Sequence, residues 1–454
     1  MKKYAIILAA GKGTRMRSAS PKVLHRVLGK PMITRVLKAI DEAQISEQYV
    51  VIGHGADQVR EVLGDDVRLV FQEQQLGTGH AVRIALEALK NDMDMQEEAT
   101  VLVTCGDTPL IRSESLEAML SQHIEQGNAV TVMTTVVDQP TGYGRILHDS
   151  EKIRAIVEEK DASDEEKNIK EINVGTYCFD LRFLVEQIDA LDTNNAQGEF
   201  YLTDLLKIAY AKGLSTASYV LENAEDSLGV NNRVQLAYAE KLLRARINEA
   251  WMMQGVTMED PATITIEDEV VLEPDVTLEG NVHLFGHTVI KRDAVIESGS
   301  RITNSTIGEG VVVRQSVIKD SVVGAHTTIG PFAQLRPGNI IGEQVKIGNF
   351  VEVKNSTIAN ESKISHHTYI GDTDMGARVN VGCGTITCNY DGKHKHRTVI
   401  GDDVFVGSNT NLIAPITIGD KVLIGAGSTL SKDVVSNALA VTRPSLVVKE
   451  NWRK

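Results

Sequence analysis

The sequence predicts an α/β domain, then a linker helix, then a parallel β-helix built from hexapeptide repeats. Three observations support this interpretation. Apolar runs alternate with amphipathic helical patterns as far as about residue 229, helical spacing follows, and an aliphatic residue then recurs every six positions. We therefore expect domains at 1–229 and 255–454, with the linker helix at 230–254.

The composition of the 454 residues is that of a folded globular protein, with 42% hydrophobic and 24% charged residues. A net charge of −14 argues against a general nucleic-acid binder, which normally carries a basic face. No stretch of the sequence approaches the roughly 20 apolar residues of a membrane span. We expect a cytoplasmic protein with no nucleic-acid partner and no membrane insertion.

Two features could suggest secretion, and both have a simpler explanation. The start, MKKYAIILAA, has two lysines and a short apolar run, but the run leads directly into GKGTR and fits a buried first strand better than a signal peptide. Cys105, Cys178, Cys383 and Cys388 show no paired CxxC spacing. Free structural thiols in a reducing compartment are therefore the favoured interpretation.

The first segment has the pattern of a mostly parallel sheet covered by helices. Its apolar runs are YAIILAAG, YVVIGHG, ATVLVTCGD and AVTVMTTVV. Amphipathic stretches such as SLEAMLSQHIEQ lie between several of them, and this alternation implies helices on both faces of the sheet. Ligands of such sheets bind beyond the carboxyl ends of the strands. Asp107, which follows ATVLVTC, is therefore expected at the edge that holds the site.

The stretch Leu8–Lys22, LAAGKGTRMRSASPK, follows the first strand and is rich in glycine and cations. It is not a P-loop, because no lysine followed by serine or threonine comes after the second glycine, and its GxGxxG pattern is incomplete. A generic glycine turn is one interpretation. Gly11 and Gly13 together with Arg15 and Lys22 favour a phosphate site, because glycines admit backbone N–H groups to a phosphate and cations neutralise it.

Residues 230–254 have the spacing of one helix, with Leu236, Ala239, Leu243 and Ile247 on a single stripe. A glycine follows at once, which suits a helix C-cap. We therefore predict a linker helix that joins the two domains.

The last segment keeps a six-residue period, which is the signature of a parallel β-helix. The aliphatic positions include one run at Ile329, Leu335, Ile341, Ile347 and Val353, and another at Ile400, Val406, Leu412, Ile418, Ile424 and Leu430. Each hexad forms one flat face and three hexads form a coil, so residues 262–440 give about ten coils. The period breaks at CNYDGKHKHR, which predicts a loop on one side of the solenoid.

The histidines of this region admit more than one interpretation. Residues 331–400 hold 8 arginines and lysines against 6 acidic residues, a balance that favours a phosphorylated substrate. Four of the twelve histidines of the chain also lie here, at His366, His367, His394 and His396. Taken alone, the first two are most often a solvated surface pair. A zinc site would need three histidines to converge from neighbouring coils.

Several motifs give the chain a specific resemblance. LAAGxGTRM followed by PKVLH is similar to the sugar-1-phosphate nucleotidyltransferases. Further matching motifs follow in the order QLGTGHA, CGDTPLI, PTGYGRI, VEEKDA, EINVGTY and GVNNR, and then HHTYIGD and CNYDG within the repeats. From end to end the chain resembles the family of bacterial bifunctional N-acetylglucosamine-1-phosphate uridyltransferases/glucosamine-1-phosphate acetyltransferases.

The resemblance implies a fold, two activities and their cofactors. The α/β domain would be a Rossmann-like nucleotidyltransferase domain, and the β-helix would be left-handed. The enzyme would acetylate glucosamine-1-phosphate with acetyl-CoA. It would then transfer UMP from UTP to N-acetylglucosamine-1-phosphate, releasing pyrophosphate and making UDP-N-acetylglucosamine, a precursor of cell-wall peptidoglycan and envelope glycans. Mg²⁺ is the implied metal, and a homotrimer with acetyl sites shared between chains is the implied assembly.

In the first domain, the resemblance implies that one group of residues holds UDP-N-acetylglucosamine. They are Leu8, Ala9, Ala10, Gly11, Lys22, Gln72, Gly77, Thr78, Gly144, Glu158, Asn173 and Asn231. Asp107 and Asn231 would bind Mg²⁺, which takes few protein ligands. Because the attacking phosphate oxygen is already ionised, catalysis would need alignment and charge neutralisation by Lys22 and Arg15 rather than a strong base.

In the second domain, the resemblance implies that His366 is the general base for attack of the 2-amino group of glucosamine-1-phosphate on acetyl-CoA. The residues that would hold the sugar phosphate are Arg336, Lys354, Tyr369 and Asn380. The residues that would contact acetyl-CoA are Cys383, Asn389, Tyr390, Ser408, Ala426 and Arg443. His367 should matter little, because adjacent side chains on an extended strand point to opposite faces.

Two cysteines depart from the family pattern, Cys105 where tyrosine is common and Cys383 where alanine is common. Both should be tolerated where the position acts through its backbone or through packing. The alternatives are an altered sugar contact at Cys105 and added thiol reactivity beside the thioester at Cys383. Two other functions stay open at this point: a nucleotidyltransferase with a purely regulatory or oligomerising β-helix, and a non-enzymatic solenoid that serves as a binding platform.

Overall fold

The computed structural model describes residues 1–45, 47–65, 67–91, 98–150, 152–443 and 445–453. The chain divides into two compact units, Met1–Leu243 and Arg244–Lys454. Among the described residues, no helix combines the length and the apolar character needed to cross a membrane.

The first unit is built around a mixed sheet. Its strands in the described ranges are β1 (Lys2–Leu8), β2 (Arg26–Val27), β3 (Lys30–Pro31), β4 (Glu47–Ile52), β5 (Arg68–Phe71), β6 (Ala99–Cys105), β7 (Val130–Val136), β8 (Arg145–Asp149), β9 (Lys152–Val157), β10 (Glu171–Asp180) and β11 (Thr216–Val220). The main sheet runs β11-β7-β10-β6-β1-β4-β5, with β8 and β9 beside β10, and β2 pairs with β3. Along this path the neighbours are parallel except at β10, which is antiparallel to β6 and β7. A mostly parallel sheet is confirmed, and β10 is an antiparallel insertion that the alternating pattern does not predict.

Helices cover both faces of this sheet. The α-helices of the chain in the described ranges are α1 (Met32–Glu42), α2 (Ala56–Leu63), α3 (Thr78–Lys90), α4 (Ser113–Glu125), α5 (Leu181–Gln187), α6 (Asp204–Ala211) and α7 (Arg233–Met253). Short 3₁₀ helices are Thr14–Met16, Lys22–Leu24, Glu166–Asn168, Ile188–Ala190, Ala224–Ser227 and Pro261–Thr263. Ile6 and Ile7, neighbours on β1, are fully buried in two different hydrophobic cores. Because successive strand residues point to opposite faces, each face of the sheet has its own core.

The carboxyl ends of the central strands meet at one edge of the sheet. Leu8, the last residue of β1, pairs with Cys105, the last residue of β6. After β1 the chain turns at Gly13, where φ is 58° and an added Cβ would lie 2.6 Å from the Cβ of Lys22. Only glycine fits that turn, and the turn folds Lys22 back toward the end of β1.

Helix α7 lies where the sequence predicts a linker. Ala239 and Leu243 are its buried positions on the predicted stripe, and Gly255 follows the helix with a φ of 95°. The division between the two units falls within this helix, between Leu243 and Arg244.

The second unit is a parallel β-helix with three faces in each coil. The first face holds Thr257–Met258, Thr277–Leu278, Val295–Ile296, Val312–Val313, Thr328–Ile329, Asn380–Val381, Phe405–Val406, Leu423–Ile424 and Leu439–Ala440. The second face holds Thr265–Ile266, His283–Phe285, Arg301–Thr303, Val317–Lys319, Gln334–Leu335, Ile386–Cys388, Asn411–Ile413 and Thr429–Leu430. The third face holds Val271–Leu272, Val289–Ile290, Thr306–Ile307, Ser321–Val323, Asn339–Ile341, Thr357–Ile358, Thr373–Met375, Thr398–Ile400 and Ile416–Ile418. Two longer strands, Lys346–Lys354 and Lys363–Gly371, turn the corner from the first face to the second.

The six-residue period is the spacing between successive inward positions. Leu284, Ile290 and Ile296, one from each face and six residues apart, are fully buried. Such side chains stack from coil to coil into one continuous core. Burying each one stabilises the fold by about 1.5–3 kcal/mol, so the aliphatic register is the main force that holds the solenoid together.

Candidate active sites

A cleft of about 320 Å³ lies at the carboxyl edge of the first unit's sheet. Its lining residues are Leu8, Ala9, Ala10, Gly11, Lys22, Val23, Gln72, Gln75, Gly77, Thr78, Ala81, Cys105, Asp107 and Glu199. The cleft thus gathers the residues predicted for the nucleotide, together with Asp107. The other predicted residues of this site, Arg15, Gly144, Glu158, Asn173 and Asn231, lie outside that lining.

The wall of the cleft at the start of α3 depends on a glycine. Gly77 has a φ of 115°, and a Cβ there would lie 2.6 Å from the carbonyl oxygen of Phe200. The buried side chain of Gln72 reaches this turn, with its Nε2 3.4 Å from the carbonyl oxygen of Gly77 and 3.0 Å from Nδ1 of His80. Thr78 begins α3, and its Oγ1 accepts a hydrogen bond from the backbone N–H of Leu202 at 3.1 Å. Gln72 on one side and the backbone of Leu202 on the other therefore hold this turn in place.

Two cations and two side chains with acceptor oxygens form a hydrogen-bonded network at the edge of the cleft. The ammonium of Lys22 donates to Oδ2 of Asp107 and, at 3.1 Å, to Oδ1 of Asn231. Arg15 donates from Nη2 to the same amide oxygen of Asn231 at 2.8 Å. The structure therefore brings Arg15, Lys22, Asp107 and Asn231 into one cluster, although they are up to 216 residues apart in the chain.

A second group of predicted residues lies just before β8, just after β9 and on β10. A Cβ added to Gly144 would lie 3.5 Å from both the Cβ of Asn173 and Oε1 of Glu158. The backbone N–H of Asn173 donates to the carbonyl oxygen of Gly144 at 2.9 Å, and its Nδ2 donates to Oη of Tyr177 at 2.7 Å. Burial, reinforced by the nearby charge of Asp161, raises the pKa of Glu158 above its usual range.

Cys105 connects this group to the cleft. Its thiol lies 3.9 Å from the carbonyl oxygen of Gly175, whose N–H donates to Oδ1 of Asn173 at 3.0 Å. Burial, together with the charge of Asp107, raises the pKa of the Cys105 thiol to about 12. The side chain is therefore a neutral thiol at neutral pH.

Sequence reasoning missed three residues here. Gln75 and Glu199 line the cleft, and Tyr177 holds the amide of Asn173. Gln75 opens the QLGTGHA motif and Tyr177 closes EINVGTY, so the motifs contained a signal for both. Glu199 lies in no motif, and only the tertiary fold brings it to the cleft.

One corner of the β-helix carries several residues predicted for the acetyl site. The corner joins the first face to the second, and the pairings on both sides advance by 17, 17, 25 and 18 residues from coil to coil. Its middle position is therefore occupied in successive coils by Asn349, His366, Cys383, Ser408 and Ala426, which we call the corner column. Arg443 joins it, because its Nε donates to the carbonyl oxygen of Ala426 at 3.2 Å.

Both histidines of the HHTYIGD motif are exposed at this corner. His366 has its Nδ1 2.8 Å from Oδ1 of Asn349, and Thr368 donates from Oγ1 to the carbonyl oxygen of His366 at 2.7 Å. His367 has a φ of 42°, and its ring stacks on Phe350 at 4.9 Å. The expectation that the two side chains point to opposite faces of an extended strand is therefore wrong, because the chain turns the corner at His367.

Cations converge on the second face of the solenoid. Arg336 and Lys354 occupy equivalent positions in adjacent coils, and Arg336 pairs with Glu352 at 2.9 Å. A hydrogen-bonding contact with the ammonium of Lys395 lowers the pKa of Lys354, with burial and the charges of Lys395 and Arg336 acting in the same direction and Asp372 opposing them. Because these positive charges are held close together, binding of an anion between them is favoured.

The inserted loop packs its Asn389 against this face. Asn389 is buried and donates from Nδ2 to Oδ2 of Asp372 at 2.5 Å and to Oη of Tyr369 at 3.4 Å. Tyr390 is 60% exposed, and its hydroxyl donates to the carbonyl oxygen of Gly392 at 2.7 Å. Asn389 is thus part of the same wall as the predicted sugar residue Tyr369, whereas Tyr390 points its ring outward.

Two predicted sets of acetyl-site residues lie apart within one chain. Asn389 follows Cys383 by six residues, which at about 3.3 Å per residue puts them roughly 20 Å apart along the face. Asn380 lies before the corner, on the first face, where it pairs with Lys363. The structure therefore brings together His366, Cys383, Ser408, Ala426 and Arg443 at the corner, and Arg336, Lys354, Tyr369 and Asn389 on the second face.

Sequence reasoning overlooked Asn349, Lys395 and Asp372 in this unit. Lys395 lies in the KHKHR run, so its charge was visible but its partner was not. Asn349 and Asp372 are apparent only once the coils are aligned.

The remaining histidines of the loop serve its own conformation. Backbone N–H groups of His394 and Lys393 and the ring of His396 all donate to Asp391, and these bonds lower the pKa of Asp391 to about 2. Among the described residues, no group of three His, Cys, Asp or Glu side chains could hold a metal ion. The zinc interpretation therefore has no support in the part of the chain that the structure describes.

The chain matches three models of known protein families. Residues 5–169 match the MobA-like NTP transferase domain, and residues 397–432 match the bacterial transferase hexapeptide model of six repeats. Residues 265–348 and 325–414 match the GMPPB C-terminal domain. These matches agree with the predicted fold class, a nucleotidyltransferase α/β domain followed by a left-handed β-helix of hexapeptide repeats.

The chain is also similar over its whole length to curated relatives, each named bifunctional protein GlmU. The relative from Heliobacterium modesticaldum is 48% identical over 452 residues, which are 99% of this chain and 98% of the relative. The relative from Exiguobacterium sibiricum is 48% identical over 454 residues, covering 100% of both chains. The relative from Streptococcus equi subsp. zooepidemicus is 49% identical over 455 residues, covering 100% of this chain and 98% of its own.

Proposed function

The chain belongs to the family of the bifunctional GlmU proteins, and from that premise we propose that it makes UDP-N-acetylglucosamine in two steps. The β-helix acetylates glucosamine-1-phosphate with acetyl-CoA. The α/β unit then transfers UMP from UTP to the N-acetylglucosamine-1-phosphate, releasing pyrophosphate. One observation supports this division most strongly: each unit holds its own group of functional side chains, around Asp107 in the first and around His366 in the second. The proposed substrates UTP and acetyl-CoA place the enzyme in the cytoplasm.

In uridylyl transfer, the cleft first aligns the phosphate of the sugar with the α-phosphate of UTP. The backbone of Leu8–Gly11 and the side chain of Gln72 hold the nucleoside, while Gly144, Glu158 and Asn173 hold the acetylated sugar. An oxygen of the sugar phosphate attacks the α-phosphorus of UTP, and the bond from that phosphorus to the bridging oxygen of pyrophosphate breaks. The attacking oxygen is already ionised, so Lys22 and Arg15 supply alignment and charge neutralisation rather than proton transfer.

The donor set at Asp107 and Asn231 suits Mg²⁺. A carboxylate oxygen of Asp107 and the amide oxygen of Asn231 both bind one cation in this structure, the ammonium of Lys22. Hard oxygen ligands in small number, with phosphate and water completing the shell, are what Mg²⁺ prefers. When bound, the metal supplies charge neutralisation at the phosphates. Lys22, which lines the cleft beside Asp107, neutralises the charge of the substrate phosphates.

Acetyl transfer needs one base and one anion site. The cations Arg336, Lys354 and Lys395 bind the sugar phosphate, and Tyr369 packs against the sugar. His366 takes the proton from the 2-amino nitrogen as that nitrogen attacks the thioester carbonyl carbon. The carbon–sulfur bond breaks and the thiolate of CoA leaves, so no acyl-enzyme forms. Coenzyme A extends along the corner column, past Cys383, Ser408 and Ala426 toward Arg443.

We assign each acetyl site to two neighbouring chains of a homotrimer. Within one chain, the corner column and the loop residue Asn389 are separated by roughly 20 Å along a flat face. Tyr390 presents a mostly exposed ring beyond that face. A neighbouring chain that packs against the face can bring its own Asn389 and Tyr390 to the coenzyme.

Two assays on the purified chain separate the activities. Release of thiol from acetyl-CoA is measured with glucosamine-1-phosphate in the absence of UTP. Release of pyrophosphate is measured with UTP, Mg²⁺ and N-acetylglucosamine-1-phosphate in the absence of acetyl-CoA. We expect turnover in both. Pyrophosphate release without thiol release would leave the β-helix with a regulatory or oligomerising role only.

A further inference from the structure

We infer that Asn349 is a positioning residue for acetyl transfer, because its amide oxygen holds His366 in the tautomer and orientation that a general base requires. The inference rests on the proposed role of His366 and adds the group that makes that role effective. Asn349 itself touches neither the amine nor the thioester in this scheme.

The hydrogen bond between the two side chains sets the tautomer. Nδ1 of His366 lies 2.8 Å from Oδ1 of Asn349. An amide oxygen can only accept, so Nδ1 carries the proton. A neutral imidazole has one N–H, and Nε2 therefore keeps its lone pair. The basic nitrogen is the one that Asn349 leaves unpaired.

The solenoid fixes both partners from the backbone. Asn349 and His366 are paired positions of the two strands that turn the corner. At Gly348 the coils approach so closely that a Cβ would lie 1.9 Å from the carbonyl oxygen of Ser365. Thr368 anchors the carbonyl of His366 at 2.7 Å. The ring is therefore held by neighbouring coils rather than left to rotate as an ordinary exposed histidine.

The arrangement also fits the course of the reaction. When Nε2 takes the proton from the attacking amine, the imidazolium keeps its Nδ1–H bonded to Asn349. The proton then passes from Nε2 to the departing thiolate of CoA, which restores the neutral ring. A neutral amide can accompany both states without binding a proton itself, because its oxygen only accepts.

The test uses three single variants and one double variant of the full chain. Asn349→Leu keeps the shape of the side chain and removes the acceptor, while Asn349→Asp keeps an acceptor oxygen and adds charge. We expect Asn349→Leu to lower kcat for acetyl transfer about tenfold to a hundredfold, with KM for both substrates changed less than about threefold, as for other orienting partners of functional histidines. Asn349→Asp should retain most of kcat and move the acidic limb of the kcat/KM profile to higher pH, because a carboxylate favours the charged imidazolium.

The double variant separates positioning from a structural effect. If Asn349 acts only through His366, then adding Asn349→Leu to His366→Ala lowers kcat for acetyl transfer no further. The inference would be overturned if Asn349→Leu lowered kcat by the same factor in the wild-type protein and in His366→Ala. It would also be overturned if Asn349→Leu alone kept the wild-type kcat. If Asn349→Leu does not fold, which loss of pyrophosphate release and of the native oligomer would reveal, an unshifted pH profile for Asn349→Asp would overturn it instead. A His366→Ala variant with full acetyl transfer would refute the proposed base itself, a different outcome from failure at Asn349.

Discussion

The contact between coils at Gly348 makes a strong prediction about a single methyl group. In Gly348→Ala the new Cβ would lie 1.9 Å from the carbonyl oxygen of Ser365, whereas real Cβ contacts stay above 3.0 Å. The coils must therefore separate by more than about 1 Å, and a hydrogen bond of 2.8 Å between Asn349 and His366 would lengthen beyond the 3.5 Å at which such a bond is lost. Overpacking of this kind costs about 1–3 kcal/mol.

The expected outcome divides the two activities. That cost lowers the unfolding temperature of the second unit by roughly 2–12 °C for a unit of this size. Acetyl transfer should fall at least about tenfold through loss of the aligned base. Pyrophosphate release should stay within about twofold, because its residues lie in the other unit.

The matched control is Gly280→Ala, a glycine of the same unit whose backbone is outside the left-handed region. Its added Cβ would approach nothing closer than Oγ1 of Thr263, at 3.2 Å. Scanning calorimetry and the two activity assays compare the variants. If Gly348→Ala unfolds and turns over like Gly280→Ala, close approach of the coils is not what positions His366.

Three further substitutions test the sites separately. Asp107→Ala should abolish pyrophosphate release in Mg²⁺ and leave thiol release near normal, and a wild-type rate of pyrophosphate release would refute the metal assignment. Lys395→Ala should raise KM for glucosamine-1-phosphate about tenfold to a hundredfold, because a charge-assisted bond is worth about 1.5–3 kcal/mol, and an unchanged KM would remove Lys395 from the phosphate site. Burial raises the pKa of Glu158 above its usual 4.5, so its neutral form stabilises the first unit below about pH 4.5 and this stability is lost as pH rises through the raised pKa. Glu158→Gln, which cannot ionise, should show no such loss in urea unfolding from pH 4 to 7, and parallel pH curves for the two proteins would contradict this.

Much of the fold could be predicted because the patterns behind it are local. An inward aliphatic residue every six positions, as at Ile400 and Val406, follows directly from the geometry of a flat face. The buried strands of the α/β unit are visible as apolar runs for the same reason. The antiparallel strand β10 was not predictable, because strand direction depends on tertiary pairing rather than on side-chain pattern.

The functional sites, too, were predictable only where the signal was local in the sequence. Motifs named Lys22 and Asp107, but their contact spans 85 residues and could only be found in three dimensions. At the corner, both histidines of the motif are exposed, and the role of His366 stays a prediction. The reasoning about His367 failed because it assumed an extended strand where the backbone has a φ of 42°. Asn349 carries no motif of its own, and its partnership with His366 depends on a register between coils.

The most direct test of two sites acting in series is a single reaction followed by two readouts. The full chain is mixed with glucosamine-1-phosphate, UTP and Mg²⁺, and acetyl-CoA is added later while free thiol and pyrophosphate are recorded together. We expect little pyrophosphate before acetyl-CoA is added. After the addition, thiol should be released first and pyrophosphate second. As UDP-N-acetylglucosamine accumulates, the amount of pyrophosphate should approach the amount of thiol. Full-rate pyrophosphate release before acetyl-CoA is added, or none after thiol has been released, would contradict the proposed order of acetyl transfer and uridylyl transfer.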